Sequence, residues 1–584
     1  AAAAAAASDM EASPVFRAQG VVSAEGLKQA SELGFVSRVA QNASGSAAFS
    51  ATLGFRRGIA EVSVSSNLQG MALGLPAPLN KSADTVLPLR FEQSLLRESM
   101  APGQKLHDQL GLSLGNLASV VYMRDISGTE ARVLRGGIGV GLEPGESAPL
   151  HESGVAANIN LASVDVDAWE KVLSASTDGV AIPANTTSST IPVASRSTAA
   201  AAQQYLPNMM AIRAKELTVE GRKLNRVVVG ATREGLNWRA NIDAEELNGY
   251  LEFRQSGGNN PGRVFARLSR LNLGQNTATD VESLLDQQPA SIPALDIVVD
   301  ELELRGRKLG RIEIDAVNRG AFAASREGGV REWRLNKFNV ILPEAVLTAS
   351  GNWVAVNAQT PAGAGTLRQP GLAERRRTVM NFRLDIADSG ELLKRFGMKD
   401  VIRRGKGKME GQVAWIGSPL SLDYPTMNGQ FNINIESGQF LKADPGIAKL
   451  LGVLSLQSLP RRLTLDFRDV FSEGFAFDFV RGDVNITHGL AATNNLQMKG
   501  VNAAVLMDGK ADIAKETQDI KVVVVPEINA GTASLIATAI NPAIGVGTFL
   551  AQIFLRRPLI QAATQEFHID GSWADPKITK VERK

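Results

Sequence analysis

Apolar and polar residues alternate along much of this chain, and this period of two limits the possible folds more than any other feature. Phe431, Ile433 and Ile435 are each separated by a polar residue, and similar runs occur at 312–314, 382–386, 463–467 and 475–479. Successive side chains of a β-strand point to opposite faces of the sheet. A half-buried, alternating pattern also favours antiparallel pairing. The chain is therefore predicted to be mainly β, with one apolar and one polar face.

Composition excludes several classes of function. The formal net charge is only +2 over 584 residues, whereas a nucleic-acid footprint needs concentrated positive charge. The chain has no cysteine, which excludes disulfides, thiolate nucleophiles and cysteine zinc sites. The 4 histidines are scattered without a second ligand at metal-binding spacing. We therefore expect no nucleic-acid partner, no metal and no cofactor.

One sequence pattern occurs twice. The residues 216–226 read ELTVEGRKLNR, and the residues 301–311 read ELELRGRKLGR. Each copy is followed by a strand-like run and then by a tryptophan, Trp238 or Trp333. Such duplication favours an elongated sheet built from repeats. A duplicated hairpin within an ordinary domain is the alternative.

Local signals predict turns and a few short helices. Asn428-Gly429, Ser437-Gly438 and Asp508-Gly509 resemble turns between strands. Asp388 is a candidate helix cap, with Gly397 at the end of that helix. Further helices are predicted at 167–173, at 444–459 and at 531–556. The helices are thus predicted to lie mostly toward the C-terminus of a β-rich chain.

The last predicted helix belongs to a segment without charge, from Ile528 to Leu555. Asn541-Pro542 interrupts it, and each half is too short to cross a bilayer alone. An interfacial pair of helices is one interpretation, and helices that plug the end of the sheet are another. At the other end, seven alanines precede Ser8 and no signal peptide is recognisable. We expect an anchor or export signal to precede this segment in a longer protein.

The run Gly111-Leu112-Ser113-Leu114-Gly115 matches the G-x-S-x-G pattern of esterases. That motif requires a strand before the serine and a helix after it. The residues that follow resemble another strand, so Ser113 is predicted to be an ordinary strand residue. An envelope hydrolase that uses Ser113 is the weakest of the functions considered, and we predict that the chain is not an enzyme.

The apolar stripes allow two folds. The stripes of two sheets can cover each other in a closed sandwich. Alternatively, one sheet curls into a trough that an apolar guest fills, because few helices are predicted to cover it. Periodicity alone does not decide between these folds.

Three segments resemble the AsmA-like region of the YhdP family of Gram-negative bacteria. The first is GQVAWIGSP at Gly411–Pro419, followed by the sheet and helix at Gly429–Leu454. The second is FHIDGSWADP at Phe567–Pro576, and the third is SSNLQGMALGLPAPLNK at Ser65–Lys81. Their order along the chain is more specific than any single pattern.

This resemblance implies a long, twisted, antiparallel, repeat-built β-sheet that is curled into an apolar groove. It implies a bridge-like lipid transport protein that shelters phospholipid acyl chains across the periplasm. The inner membrane would hold an N-terminal anchor, and the C-terminus would approach the outer membrane. The expected segments are a first groove segment at 1–180, a Ser/Thr/Pro-rich loop at 181–200, central groove repeats at 201–380 and the AsmA-like region at 381–584.

Candidate residues follow from the stripes and from the uncharged segment. The predicted lipid-groove residues are Val227, Val229, Ile312, Ile314, Phe382, Leu384, Ile386, Phe431, Ile433, Ile435, Leu463, Leu465, Phe467, Phe475, Phe477 and Phe479. The predicted contacts with the outer membrane are Ile536, Ile540, Ile544, Phe549, Ile553, Phe554, Arg556 and Arg557. The alternative function is a periplasmic scaffold or chaperone for outer-membrane assembly, which would bind protein strands at a sheet edge.

Overall fold

The structure is a computed structural model, and it is mostly β, as predicted: strands make up 66% and helices 11%. It describes residues 15–30, 35–56, 58–101, 103–128, 130–143, 146, 148–175, 204–219, 221–256, 261–274, 293–304, 306–318, 332–355, 376–419, 422–441, 475–500, 503–526, 540–556, 561–562 and 564–581. The chain divides into two compact units, Ala1–Glu252 and Phe253–Lys584. The predicted helix at 444–459 and the predicted loop at 181–200 lie outside the described residues.

In its described residues, unit 1 is a mixed sheet with three short α-helices and a 3-10 helix at Arg97–Met100. Its elements are β1 (Val15–Ser23), α1 (Ala24–Gln29), α2 (Phe35–Ala40), β2 (Ala43–Arg56), β3 (Ile59–Ser66), β4 (Met71–Leu73), β5 (Leu89–Leu95), β6 (His107–Leu114), β7 (Ala118–Asp125), β8 (Arg132–Val140), β9 (Gly154–Asp165), α3 (Val166–Ala175), β10 (Met209–Val219), β11 (Arg222–Glu234) and β12 (Asn237–Asp243). Strand β13 (Leu247–Arg254) includes the last residues of this unit. Helix α3 confirms the helix predicted at 167–173.

Unit 2 continues the same type of structure. Its elements are β14 (Arg263–Leu273), β15 (Ala294–Leu304), β16 (Arg307–Asn318), β17 (Glu332–Ile341), β18 (Ala345–Ala355), β19 (Arg376–Ile386), α4 (Ser389–Arg395), β20 (Ile402–Ile416), β21 (Asn428–Phe440), β22 (Phe475–Thr487), β23 (Leu490–Gly500), β24 (Ala503–Asp512), β25 (Thr517–Pro526), α5 (Gly545–Arg556), β26 (Gln565–Ser572) and β27 (Pro576–Val581). Helix α4 confirms the predicted cap, since the Asp388 side chain accepts hydrogen bonds from the backbone N–H groups of Gly390 and Glu391.

The duplicated sequence corresponds to a duplicated structural module. The copy at 216–226 forms the β10–β11 hairpin, and the copy at 301–311 forms the β15–β16 hairpin. Both turns contain a glycine in the left-handed region, Gly221 with φ 71 and Gly306 with φ 75. Each hairpin also begins with a strand that pairs in parallel with the preceding one, β9 with β10 and β14 with β15. The largely antiparallel sheet therefore has parallel joins at equivalent places.

The strand register of unit 2 aligns apolar residues into rows that run across the strands. Directly paired residues lie on the same face of a sheet. One row contains Ala266, Ile297, Ile314, Phe338, Ala349, Phe382, Gly411, Phe431 and Val484. The neighbouring row contains Leu268, Val299, Ile312, Val340, Leu347, Leu384, Met409, Ile433 and Gly482. We call the face that carries these rows the apolar face.

Unit 1 has an apolar face of the same kind. One of its rows contains Ala18, Ala51, Val64, Phe91, Leu112, Val120, Ile138, Ala157, Met210, Ala231 and Ala240. Val229 lies in the adjacent row, between Ile212 and Ile242. The alternation seen in the sequence is therefore carried from strand to strand without a change of face.

Glycines of β20 on the apolar face of unit 2 lie very close to the neighbouring strand β21. A Cβ atom added to Gly411 would lie 2.5 Å from the Cβ of Phe431, and one added to Gly407 would lie 2.6 Å from the Cα of Ile435. The Cβ atoms of paired residues are normally ~4.5–5.5 Å apart. The two strands can approach this closely on the apolar side only because these residues have no side chain.

The predicted turns at Asn428-Gly429 and Asp508-Gly509 are wrong, since both dipeptides lie within strands, β21 and β24. A Cβ atom on Gly429 would lie 2.2 Å from the carbonyl oxygen of Gln412, and one on Gly509 would lie 2.4 Å from that of Asp519. These glycines thus permit close strand contact. The third predicted turn, Ser437-Gly438, is also inside β21, where Ser437 has a φ of 37.

Candidate functional site

The apolar face of β14–β22 brings together most of the residues that the stripes predicted. Ile312, Ile314, Phe382, Leu384, Phe431 and Ile433 lie in its two rows, and Ile386 and Ile435 lie beside them, paired through Gly407. Most of these side chains are half-buried, while Ile312 is 6% exposed. In unit 1, Val227 is fully buried and Val229 is half-buried on the equivalent face. An extended band of aliphatic and phenyl side chains is the main chemical feature of this face.

The stripe 475–479 does not stay on one face. Phe477 packs in the apolar face, with its ring centroid 5.2 Å from that of Phe440. The β22–β23 register shifts between Phe477 and Phe479. Phe479 consequently lies on the opposite face, where the guanidinium of Arg481 is 4.1 Å from its ring centroid. The prediction that Phe479 faces the groove is therefore corrected, because a bulge interrupts the period of two.

The side chains of four further predicted groove residues are not described by the structure. The backbone of Phe475 pairs with that of Phe440, but its side chain lies outside the described part of the structure. Leu463, Leu465 and Phe467 fall between β21 and β22, also outside the described residues.

The opposite face of β16–β21 is charged. Arg311 and Lys337 contact the Glu313 carboxylate at 3.0 and 2.5 Å, and Arg383 pairs with Asp385 at 2.8 Å. The hydrogen bond from Lys337, followed by that from Arg311, lowers the pKa of Glu313 to about 2. This charged face is suited to water, and the contrast with the apolar face makes the sheet amphipathic through its thickness.

The apolar face becomes a filled core toward the C-terminus. Val505 and Val524 are 0% exposed, and Phe477, Met498, Phe567 and Ile569 pack in the same cluster. Sequence analysis missed the residues of β23–β25, although 503–506 and 522–525 are continuous apolar runs. Such runs are typical of strands that are buried on both faces. The half-buried part of the face that a guest could contact therefore lies before β23.

Helix α5 packs on the other face of these strands. Val546, Leu550 and Ile553, together with Ile540, contact Leu506, Val523 and Val525. Ile540 and Ile553 are thus buried rather than available to a membrane, and Phe549 and Phe554 are partly buried in the same cluster. Ile544 is 47% exposed and Leu555 is 87% exposed. Ile536, Arg557 and the side chain of Arg556 lie outside the described residues.

No helix in the described part of the chain is both long enough and apolar enough to span a membrane. The predicted helix at 531–556 is confirmed from Gly545 to Arg556. Residues 540–544 form a turn before it and no helix, because Pro542 lacks the N–H group that a helix needs, and 531–539 lie outside the described residues.

Charged residues also occur on the apolar face of unit 1, at one end of its strands. The Asp108 carboxylate is 1% exposed and contacts Arg124 at 2.5 Å, and it accepts a hydrogen bond from Gln93. Next to this pair, Tyr122 donates a hydrogen bond to the carbonyl of Tyr205. Burial, followed by the effect of Tyr205, raises the pKa of Tyr122 to about 12. The two charges of this ion pair neutralise each other at this end of the apolar face.

Ser113 lies within β6 and pairs with Arg90 and Ser119. The next element is β7, so the chain continues from strand to strand at this point. This geometry is that of a hairpin and differs from the strand-to-helix turn of an esterase nucleophile.

The chain is similar to known proteins of one family. The family model "YhdP protein" matches residues 4–578. The intermembrane phospholipid transporter YhdP of Escherichia coli (strain K12) is 27% identical over 371 residues, which cover 62% of this chain and 25% of that relative. The matched region thus spans a quarter of the length of the relative, and no solved structure matches the chain. Because the family match extends over nearly every strand described above, this chain belongs to the YhdP family.

Proposed function

We propose that this chain carries phospholipid acyl chains along the apolar face, as one segment of an intermembrane transporter. The observation that supports this proposal best is the continuity of the apolar rows across β14–β22. Transfer of an acyl chain of ~16 carbons from a membrane into water costs on the order of 10 kcal/mol of free energy, since each exposed CH₂ costs about 0.8 kcal/mol. A continuous apolar face removes most of that barrier without a selective pocket.

The Escherichia coli relative, an intermembrane phospholipid transporter, supports the same proposal. We place the chain in the periplasm, with an inner-membrane anchor at the N-terminal side of the longer protein. The C-terminal end would lie near the outer membrane, where the exposed residues of α5 are the candidate contacts. In this proposal the residues of the apolar face form a lipid-binding wall and perform no chemistry.

Ile433→Asp tests the lipid-binding wall. Ile433 lies between Met409 and Gly482 in an apolar row, so a carboxylate there would be costly in contact with acyl chains. We expect phospholipid that copurifies with the chain to fall about tenfold, measured by mass spectrometry of extracted lipid.

Asn434→Asp is the matched control, because Asn434 is the next residue of the same strand and lies on the charged face, between Lys408 and Arg481. This variant should retain its lipid. Equal lipid contents in the two variants would contradict the proposal. A wild-type chain that copurifies with unfolded outer-membrane protein and no lipid would favour the scaffold or chaperone alternative.

A further inference from the structure

One end of the apolar face in unit 2 is bordered by a row of tryptophans. The strand register pairs Trp333 with Trp353, Trp353 with Thr378, and Thr378 with Trp415. Trp333 and Trp353 pack against Ile314 and Phe338 of the apolar face. The exposures of Trp333, Trp353, Thr378 and Trp415 are 5%, 4%, 2% and 1%. We call these four residues the tryptophan row.

Two members of the tryptophan row have their polar atoms satisfied within the chain. The indole N–H of Trp415 donates to the carbonyl of Ser418 at 2.9 Å, and the Thr378 hydroxyl donates to the carbonyl of Gly417 at 2.8 Å. In contrast, the indole nitrogens of Trp333 and Trp353 are buried and have no hydrogen-bond partner among the described residues. Buried donors are nearly always bonded, so these two N–H groups indicate a place for an acceptor.

A cation lies just beyond the tryptophan row. Arg376 is two residues before Thr378 in β19, which places it on the same face. Its guanidinium is 5.2 Å from the ring centroid of Trp353, and the residue is 7% exposed. From the middle of the face outward, the order is therefore aliphatic side chains, indole rings and a guanidinium. A phospholipid has the same order of acyl chain, glycerol ester and phosphate.

The opposite end of the same strands has a different character. Leu392 of helix α4 packs there with Leu342 and Ala345, against Leu384 and Ile386. Arg395 of this helix is paired with Glu344. This end of the apolar face is thus covered by Leu392 and bordered by the Arg395–Glu344 ion pair, and no tryptophan of the described residues lies there.

Unit 1 contains a related arrangement at the equivalent position of the repeat. Arg233, near the end of β11, pairs with Trp238 of β12 on the apolar face, and its guanidinium is 5.6 Å from the Trp238 ring centroid. Trp333 occupies the same place after the second repeat hairpin, where it pairs with Asn318 of β16. An arginine thus lies against a tryptophan in each unit, Arg233 against Trp238 and Arg376 against Trp353, although the residue of unit 2 that is equivalent to Arg233 is Asn318.

We propose that Arg376 and the indole N–H groups of Trp333 and Trp353 bind the phosphate and glycerol ester of a phospholipid whose acyl chains lie on the apolar rows. This inference rests on the proposed function and adds an orientation to it, with all headgroups at one end of the strands. Guanidinium groups suit phosphate oxygens, and indoles favour the boundary between apolar and polar regions.

The test compares two probes that have identical acyl chains, a phosphatidylethanolamine and a diacylglycerol, in titrations of the purified chain. We expect the wild type to bind the phospholipid about tenfold more tightly, since a charge-assisted hydrogen bond contributes about this factor. Arg376→Gln should remove that preference and leave diacylglycerol binding unchanged. Arg377→Gln is the matched control, because Arg377 is the adjacent, exposed residue of β19 on the opposite face, and it should retain the preference.

Two further variants keep the test decisive if Arg376→Gln is unstable. Arg376→Lys preserves the charge and should retain the preference, whereas Trp353→Phe preserves the ring, removes one N–H donor and should reduce it about threefold. The proposal is overturned if Trp353→Phe and Arg376→Gln both prefer the phospholipid as strongly as the wild type does. It is also overturned if inorganic phosphate displaces the phospholipid probe at equal concentration, since the row would then be a general anion site.

The two proposals fail in different ways. If the wild type binds both probes equally and Ile433→Asp abolishes both, the apolar face binds lipid but the tryptophan row does not recognise a headgroup. If the wild type binds neither probe, the proposed function fails as well.

Discussion

At the scale of single residues, the charged face shows how a thin sheet can keep one side in water while the other stays apolar. Glu313 is held by two cations and also accepts a hydrogen bond from Asn339 at 3.2 Å. Its side chain is 16% exposed, so solvent screens these contacts only in part. The residue lies between Ile312 and Ile314, so adjacent residues of β16 place a carboxylate on one face and isoleucines on the other.

Glu313→Gln should reduce the pH dependence of stability. The pKa of Glu313 falls from 4.5 to about 2 on folding. A carboxyl group with a lowered pKa stabilises the folded state above its unfolded pKa, and this contribution is lost as the pH falls through the folded value. We expect the wild type to lose on the order of 1 kcal/mol from this group between pH 5 and pH 2, and Glu313→Gln to lack that loss.

Urea unfolding at several pH values measures this difference. Asp478→Asn is the control, since the Asp478 carboxylate is 54% exposed in its pair with Lys499, and it should keep the pH profile of the wild type. Identical pH profiles for Glu313→Gln and the wild type would contradict the assigned network.

At the scale of elements, the period of two predicted the strands and their apolar face. In the segments Phe382–Ile386 and Phe431–Ile435, the polarity of each residue matches the face of the sheet on which it lies. It assigned Phe479 to the wrong face, because the bulge next to this residue depends on the pairing of two strands. The glycines have a role that the sequence does not reveal. Gly429 resembles a turn residue in the sequence, and only the distance to Gln412 of the neighbouring strand shows why it is needed.

Helix α5 is the element whose role the sequence left most open. Its buried side covers β23–β25, and Ile544 and Leu555 remain exposed at its two ends. Changing both to aspartate should weaken binding to phosphatidylethanolamine–phosphatidylglycerol vesicles about tenfold, because charged groups do not enter the apolar interface. A flotation assay measures this binding.

The matched control is Thr548→Asp with Gln552→Asp, which adds the same two charges at exposed polar positions of α5. Equal vesicle binding by the two double variants would refute membrane contact through these residues. A truncation near Glu527 would be a poorer test, because it also removes β26 and β27, and β26 pairs with β25.

At the scale of the whole molecule, the repeated module explains how a long sheet can keep one face apolar. Each hairpin copy, 216–226 and 301–311, begins after a parallel join, and the apolar rows continue through both copies within their own units. Such a face needs no specific pocket. The resemblance to the YhdP family was recognisable from separate segments, whereas the tryptophan row was not, since its members come from four strands.

If lipid must pass along both apolar faces, one charged substitution in either face should strongly reduce phospholipid transport. Val120→Asp in unit 1 and Ile433→Asp in unit 2 should each reduce phospholipid transport by the full-length protein at least tenfold, since each 1.4 kcal/mol of added barrier slows a step tenfold. Combining them should cause little further loss, because the highest barrier already limits the rate. Pulse labelling of phospholipids in the two membranes measures the flux, with Ser119→Asp, on the other face of β7, as the control. Partial losses of flux in the single variants that add up to a full loss in the double variant would instead indicate two independent lipid routes.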